Sequence, residues 1–310
     1  MPLDLIFCGT PAFAVPALER LATGHRIHLV VTQPDRPKGR GLELVASPVK
    51  ESALKLNLSI AQPERIKTND EFRAQIAAIN PDAIIVVGYG RIIPPWMLDL
   101  PPLGNINLHA SLLPKYRGAA PIQWAIASGE TVTGNTTMRL DTGLDTGDLL
   151  LQQETPIAPD DTAETLAARL AATGADLLLR TLAGLHEGTI QPRKQDNSHA
   201  TLAPILKKED GLIDFSRTAH EILNRLRGFQ PWPGAYTKFR GKTLQVLKAQ
   251  SATASVAPSE LKILADRLIV GCAQNTSLEL LELQLEGKKR ASARDFVNGY
   301  RPKESEKLGL

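Results

Sequence analysis

The sequence predicts a doubly wound, mostly parallel α/β domain followed by a small β-barrel. Through residue 188, apolar runs alternate with helical patterns, which is typical of strand–helix–strand units in a parallel sheet. The runs are continuously apolar, as expected for strands buried on both faces. Beyond residue 208 the runs become short, and Gly, Pro, Ser and Asn separate them, which predicts a barrel of short strands.

The individual elements follow from these patterns in chain order. The predicted strands of the first domain are residues 3–8, 26–32, 82–88, 106–110 and 136–140. The predicted helices lie near residues 15–23, at 48–57 and at 162–183. Pro48 suits the first turn of its helix, where a missing N–H leaves no helical hydrogen bond unmade.

The chain of 310 residues is long enough for two domains, and an apolar fraction of 43% allows each of them a core. Residues 189–207 are polar and lack periodicity, so they are predicted to be a linker. We therefore expect a catalytic domain over residues 1–188 and a second domain over residues 208–310, with one helix near 216–227.

Charge is distributed unevenly along the chain. Residues 1–203 carry 18 Lys and Arg against 21 Asp and Glu, whereas residues 204–310 carry 18 against 12. A basic second half indicates a polyanionic partner, although a chance asymmetry of a solvated surface gives the same count.

Several other features bound the class of protein. No apolar run reaches the roughly 18 residues that span a bilayer, and the first residues are typical of a strand rather than a signal peptide. The two cysteines, Cys8 and Cys272, lie far apart in apolar surroundings and are expected to be buried free thiols. Free thiols indicate a reducing compartment, so we expect a cytoplasmic protein. We expect no metal, because no two histidines have the spacing of metal ligands.

Two nucleotide-binding motifs are excluded. The segment at residues 88–93 has two of the three glycines of a dinucleotide fingerprint and then meets two prolines. The Gly-Lys-Thr at residues 241–243 resembles the end of a phosphate loop, but Tyr236 stands where the earlier glycine is required.

One strand carries polar residues at alternate positions. Asn107, His109 and Ser111 share a face, about 6.6–7 Å between neighbours. Polar side chains on a buried strand cost about 1–3 kcal/mol each if they lack partners. The end of a strand in an open α/β sheet is also where ligands bind. These residues are therefore predicted to form an active site, and the alternative is a hydrogen-bonded histidine of the core.

The residue types indicate acyl-transfer chemistry. A serine hydrolase is excluded because Ser111 is too far from His109 and no nucleophile elbow is present. An amide and an imidazolium can together hold the oxyanion of a tetrahedral intermediate, and a carboxylate can orient the imidazole. Asp145, in a Gly-rich loop after the next strand, is the first choice for that carboxylate, with Asp141 and Asp148 as alternatives.

The segments that surround these residues resemble a known family. The central ones are INLHASLLPKYRGAAPIQWAI and, further on, TGLDTGD, and they are accompanied by FCGTPAFA, QPDRPKGRG, SPVK and GFQPWPGAY. Together they resemble the methionyl-tRNA formyltransferase family, from Phe7 to about Tyr236. The glycinamide-ribonucleotide formyltransferases share the Asn-His-Asp core but have a single domain.

The resemblance implies an activity and its residues. It implies a Rossmann-like formyltransferase domain, an OB-like barrel that binds tRNA, and catalysis by Asn107, His109 and Asp145. It also implies that 10-formyltetrahydrofolate donates the formyl group and that initiator methionyl-tRNA accepts it, with no role for a membrane, DNA or a metal. The residues implied to contact the folate are Tyr89, Gly90, Arg91, Ile92, Ser111, Leu112, Leu113, Pro114 and Asp141.

The resemblance further implies that the loop at residues 33–47 enters the acceptor end of the tRNA, with Arg40 in contact with it. Two other functions remain open from the sequence. One is an N-formyltransferase of a small amine such as an amino sugar or nucleotide. The other is a tRNA- or folate-binding module without catalysis, which the intact Asn107, His109 and Asp145 disfavour.

Overall fold

The computed structural model describes residues 1–38 and 43–309 of the chain. These residues form two compact units. The first unit consists of residues 1–121, 132–156 and 167–203, and the second unit consists of residues 122–131, 157–166 and 204–310. Residues 193–203, inside the predicted linker, therefore belong to the first unit.

The first unit is built around a seven-stranded sheet in the order β5-β2-β1-β6-β7-β8-β9. Its strands are β1 Asp4–Gly9, β2 Arg26–Val31, β5 Ile60–Ala61, β6 Ala83–Val87, β7 Asn105–His109, β8 Val132–Arg139 and β9 Leu149–Pro156, and a separate hairpin pairs β3 Arg36–Lys38 with β4 Glu43–Val45. The five strands from β5 to β7 are parallel, which confirms the mostly parallel fold class.

The far edge of the sheet differs from the sequence-based prediction. β8 contains the fifth predicted strand, but it runs antiparallel to β7, and β9 runs antiparallel to β8. The apolar pattern of a strand shows that it is buried, but it does not show its direction, which depends on the path of the connecting chain.

The helices mostly begin where local signals place them. They are α1 Val15–Ala22, α2 Pro48–Lys55, α3 Asp70–Ile79, α4 Pro95–Leu98, α5 Pro121–Ala127, α6 Ala163–His186, α7 Ala219–Gly228 and α8 Ala293–Tyr300. The Ser47 side chain caps α2 by accepting a hydrogen bond from the Lys50 N–H. Thr218 and Glu221 form a reciprocal capping box at the start of α7. Each cap satisfies backbone N–H groups that the helix cannot pair internally.

The sheet of the first unit is covered on both faces. In β1, Leu5 and Phe7 join a core that includes Leu18 of α1 and Leu178 of α6. The alternate residues Ile6 and Cys8 join the opposite core, together with residues of α3 and α4. Because neighbouring strand residues point to opposite faces, this division is the direct sign of a doubly wound sheet.

The second unit contains a six-stranded antiparallel sheet, in the region where the short apolar runs predict a small β-barrel. Its strands are β10 Tyr236–Phe239, β11 Lys242–Ala252, β12 Leu261–Leu264, β13 Arg267–Gly271, β14 Ser277–Leu285 and β15 Ala291–Ser292. Inward-facing residues of β11 and β14 pack with Ile222 of α7 and Phe296 of α8. None of the described helices has the length and hydropathy needed to cross a membrane.

Both cysteines are buried free thiols, as predicted, and this has a chemical consequence. Burial raises the pKa of the Cys8 thiol well above its usual range, and it raises the pKa of Cys272 to about 11. A raised pKa means that little of either thiol is the reactive thiolate near neutral pH.

We expect the native protein to resist alkylation by iodoacetamide at about pH 8, near the usual pKa of a free cysteine. Both cysteines should be labelled once the chain is unfolded in guanidinium. Mass spectrometry of the labelled peptides measures this directly, and rapid labelling of Cys8 in the folded protein would contradict the burial described here.

Candidate active site

Asn107 and His109 lie at the carboxyl end of β7. Val86 of β6 is the register partner of Asn107, and Thr136 of β8 is the partner of His109. The side chains are almost fully enclosed, with exposed fractions of 8% for Asn107 and 6% for His109. An amide that is nearly removed from water has lost most of its hydration, so a polar ligand that enters the site is favoured as its hydrogen-bond partner.

The contacts of the His109 ring define its tautomer. Nε2 lies 2.8 Å from the backbone oxygen of Tyr116. A carbonyl oxygen can only accept, so Nε2 carries a proton and donates it to Tyr116. Nδ1 is the other ring nitrogen, and it faces Asp145 Oδ2 at 3.6 Å. That separation is an ion-pair distance rather than a full hydrogen bond, so Nδ1 is the nitrogen that remains available to a reacting group.

Asp145 is held in place by the backbone. Its Oδ2 accepts a hydrogen bond of 2.9 Å from the Gly118 N–H, and the same oxygen faces the imidazole. The residue adopts φ 53°, in the left-handed region, which costs a non-glycine residue on the order of 1 kcal/mol. An uncommon backbone conformation at this position indicates that the surrounding contacts fix the carboxylate.

The loop that carries Asp145 folds back toward His109. β8 ends at Arg139, three residues beyond Thr136, which places its end about 10 Å along the strand from the level of His109. Gly147 packs against this strand so closely that a Cβ there would lie 1.7 Å from the Arg139 oxygen. The close approach requires glycine, and it lets the short loop return over the sheet.

The three candidate carboxylates take different positions. Asp141 accepts hydrogen bonds from the Gly143 N–H and the Thr146 hydroxyl, so it closes the turn of its own loop. Among the described residues, Asp145 is the one whose carboxylate lies within 4 Å of the His109 ring. The alternatives Asp141 and Asp148 therefore do not take this position in the structure.

Two side chains of the sheet, Thr136 of β8 and Gln152 of β9, form hydrogen bonds that fix the turn at residues 111–114. The Thr136 hydroxyl donates to the Ser111 oxygen at 2.6 Å and accepts from the Leu113 N–H at 3.1 Å. The Gln152 amide donates to the Leu113 oxygen at 2.9 Å. The Ser111 hydroxyl is itself used, since it donates to the Lys115 oxygen. Of this turn, Leu112 and Pro114 are half-buried and Leu113 is buried.

The segment at residues 89–92 continues from β6 beside the end of β7. Tyr89 has an exposed fraction of only 1%, and burial raises the pKa of its phenol. Its side chain packs in the core, so Tyr89 contributes only its backbone to the surface of this segment. Gly90 adopts φ 77°, Arg91 donates to the Glu64 oxygen, and Ile92 is 87% exposed.

Two further sequence-based expectations concern the tRNA contact of Arg40 and the absence of a metal. Arg40 lies outside the described residues, so its contact with tRNA stays a prediction. In the part of the chain that is described, no group of three His, Cys, Asp or Glu residues has the arrangement of a metal site.

Some supporting residues were missed at the level of sequence. Tyr116 and Gly118 contact His109 and Asp145, and both lie inside the quoted KYRG segment, which was the available signal. Thr136 and Gln152 hold the turn through side chains that the strand pattern presents as ordinary polar residues. Gln195 contacts the Asp145 loop from a segment that was expected to be only a linker.

Comparison with known proteins gives a consistent result over the whole chain. A family model described as formyl transferase matches residues 4–182, and one described as formyl transferase, C-terminal domain, matches residues 205–301. A methionyl-tRNA formyltransferase of Koribacter versatilis is 67% identical over 306 residues, covering 98% of each chain. One of Acidobacterium capsulatum is 61% identical over 300 residues, covering 96% of each chain.

Solved structures share the fold at lower identity. An N-formyltransferase from Helicobacter canadensis, in complex with folinic acid and dTDP-3-aminofucose, is 18% identical, with a TM-score of 0.65. The match covers 90% of this chain and 98% of that chain.

Proposed function

Since the chain belongs to the methionyl-tRNA formyltransferase family, we propose that it transfers a formyl group from 10-formyltetrahydrofolate to the α-amino group of initiator methionyl-tRNA. The observation that carries the chemistry is the position of three side chains at the end of β7: the nearly enclosed Asn107 amide and His109 ring, and the Asp145 carboxylate beside that ring. Such a cluster suits a reaction in which negative charge develops on one oxygen.

In the proposed reaction the neutral amine attacks the formyl carbon, and the carbonyl electrons move onto the formyl oxygen. The Asn107 amide and the His109 Nδ1–H donate to that oxygen. Asp145 stabilises the imidazolium at 3.6 Å and receives the proton of the attacking amine, directly or through water. The tetrahedral intermediate then collapses and the bond to the folate nitrogen breaks. His109 passes a proton to that nitrogen and regains one from Asp145, so that the proton lost by the amine ends on the folate.

The other residues that the resemblance implies have supporting roles in this proposal. Tetrahydrofolate lies against the 89–92 segment, the 111–114 turn and the Asp141 loop, with Tyr89 contributing backbone only, because its side chain is in the core. Residues 1–188 form the catalytic domain, 189–207 the linker and 208–310 the tRNA-binding domain. The protein works in the cytoplasm, which is consistent with two buried free thiols.

Formylation of a small amine, such as an amino sugar, is the second candidate because it uses the same chemistry. Two features favour tRNA. The relatives at 61–67% identity are methionyl-tRNA formyltransferases, and the second half of the chain is basic. The test is whether purified protein formylates methionyl-tRNA, but neither free methionine nor a dTDP-amino sugar, when it is given 10-formyltetrahydrofolate.

Replacing the three central residues tests the mechanism. Asn107→Ala, His109→Ala and Asp145→Ala should each lower kcat by about a hundredfold to a thousandfold, because one oxyanion donor is worth roughly 3–4 kcal/mol. The double variant of His109 and Asp145 should lose little more than the worse single variant, since the residues act as a unit.

Two control measurements accompany these variants. Thermal unfolding and folate binding should remain near the wild-type values, which separates a loss of chemistry from a loss of folding. Near-normal turnover by a folded His109→Ala protein that binds folate would overturn the mechanism.

Exposed lysines of the second unit test the tRNA-binding role. Lys288 and Lys289 follow β14 and are both exposed. The double change to Glu should raise the KM for tRNA and lower the slope of log affinity against log salt by about one or two, because fewer counterions are released. The double change of Lys55 and Lys67 to Glu, at two exposed sites in the first unit, is the matched control. An equal effect of both charge reversals would contradict a specific role of the second domain.

Arg40 is the position proposed to contact the acceptor end. Arg40→Ala should reduce kcat/KM for methionyl-tRNA, because a guanidinium that can bind phosphate or base edges is lost. Folate affinity should not change. Steady-state formylation at low tRNA concentration measures this, and wild-type activity there would indicate a solvated loop residue.

A further inference from the structure

Residues 193–203, which follow α6, are more than a passive connection, because they bond to both loops of the site. We propose that Gln195 is a positioning residue for formyl transfer and that, with Arg117, it holds the Asp145 loop against His109. The inference rests on the proposed function, since the role of Asp145 there gives its position a catalytic consequence.

The first step is the contact between Gln195 and the Asp145 loop. Its Nε2 donates to the Asp145 backbone oxygen and to the Gly147 backbone oxygen, at 2.8 Å in each case. Both amide protons are thereby used on one loop, two residues apart. These bonds fix the peptide group that follows Asp145 and the one that follows Gly147, next to the left-handed conformation of Asp145.

The second step is the contact between Gln195 and the loop after β7. The Gln195 Oε1 accepts hydrogen bonds from Arg117 Nε at 3.1 Å and from Arg117 Nη2 at 2.7 Å. Nη2 also donates to Asn197 Oδ1 at 2.8 Å. Arg117 is buried, and these charge-assisted hydrogen bonds replace the hydration that its guanidinium group loses.

The third step is the position of Arg117 in the chain. Its predecessor Tyr116 receives the His109 hydrogen bond, and its successor Gly118 donates to Asp145. The Arg117 backbone is itself paired with the 193–203 segment, through the oxygen of Thr201 at 2.9 Å and the N–H of Ala203 at 2.7 Å. Gln195 therefore closes a ring of contacts that links the imidazole to the carboxylate through two loops.

A displaced Asp145 should affect the chemical step more than substrate binding. The carboxylate acts on the imidazolium and on the proton of the amine, whereas the folate and tRNA surfaces lie elsewhere. A misplacement of about 1 Å can reduce turnover about a hundredfold. A positioning role therefore predicts that kcat falls while the KM values stay unchanged. A general loss of stability does not produce this pattern.

Gln195→Ala and Gln191→Ala form a matched pair. Gln191 is the same residue type in the same polar stretch, and it is exposed. Measured below the unfolding temperature of both variants, Gln195→Ala should lower kcat about tenfold to a hundredfold. The KM values for folate and tRNA should stay near those of the wild type. Gln191→Ala should match the wild type throughout.

A second variant separates the two halves of the Gln195 amide. Gln195→Glu retains an oxygen that accepts from Arg117, but it loses the N–H groups that reach the loop carbonyls. It should therefore fold, and its kcat should be at least as low as that of Gln195→Ala, because a carboxylate oxygen would face two carbonyl oxygens. Wild-type kcat in Gln195→Glu would overturn the positioning role.

Double variants and a readout without activity complete the test. Adding Gln195→Ala to Asp145→Ala should change kcat little, since the residue acts through Asp145. Hydrogen–deuterium exchange of residues 141–148 should rise in Gln195→Ala and not in Gln191→Ala. Unchanged exchange, or a full additional loss of kcat in the double variant, would contradict the inference.

The same experiment distinguishes this inference from the proposed function. A wild-type protein that does not formylate methionyl-tRNA would overturn the proposed function. An active wild type with Gln195→Ala equal to Gln191→Ala in kcat would overturn only the positioning role.

Discussion

The geometry of the site depends on three consecutive residues, Tyr116 to Gly118, at the end of the loop that follows β7. The backbone oxygen of Tyr116 accepts from His109, the side chain of Arg117 donates to Gln195, and the N–H of Gly118 donates to Asp145. One short segment thus sets the orientation of the His109 ring and the position of the Asp145 carboxylate. Because both contacts with the imidazole and carboxylate are made by backbone groups, neither depends on a flexible side chain.

Several of these residues have strained or demanding backbone conformations. Tyr116 and Asp145 have positive φ angles, which cost non-glycine residues on the order of 1 kcal/mol each. Gly118 adopts φ 118°, and a Cβ there would lie 2.7 Å from the Ala203 oxygen. Buried hydrogen bonds around the segment offset this strain. A site that is organised before its substrates bind does not have to reorganise when charge develops, which is the physical basis of electrostatic catalysis.

The antiparallel edge of the sheet determines the path of the loop that carries Asp145 to His109. In a fully parallel sheet, loops at the carboxyl ends of adjacent strands meet without further arrangement. β8 runs the other way, so its end is about 10 Å from the level of His109. The loop must therefore turn back over the sheet, and the glycines and the Asp141 turn allow this within a few residues.

Local pattern and residue chemistry were enough to predict part of this protein before its tertiary structure was known. Five strands of the first sheet, four of the eight described helices, a second unit of short strands and the choice of Asn107 and His109 on one strand face follow from periodicity and residue types. The family resemblance, confirmed by the relatives, added the activity. The tertiary structure was needed for the direction of β8, for the position of the Asp145 carboxylate beside His109, for the core position of Tyr89 and for the contacts of Gln195. Each of these depends on which segments meet across long sequence separations, and a local pattern shows that a residue is buried or polar without showing what it contacts.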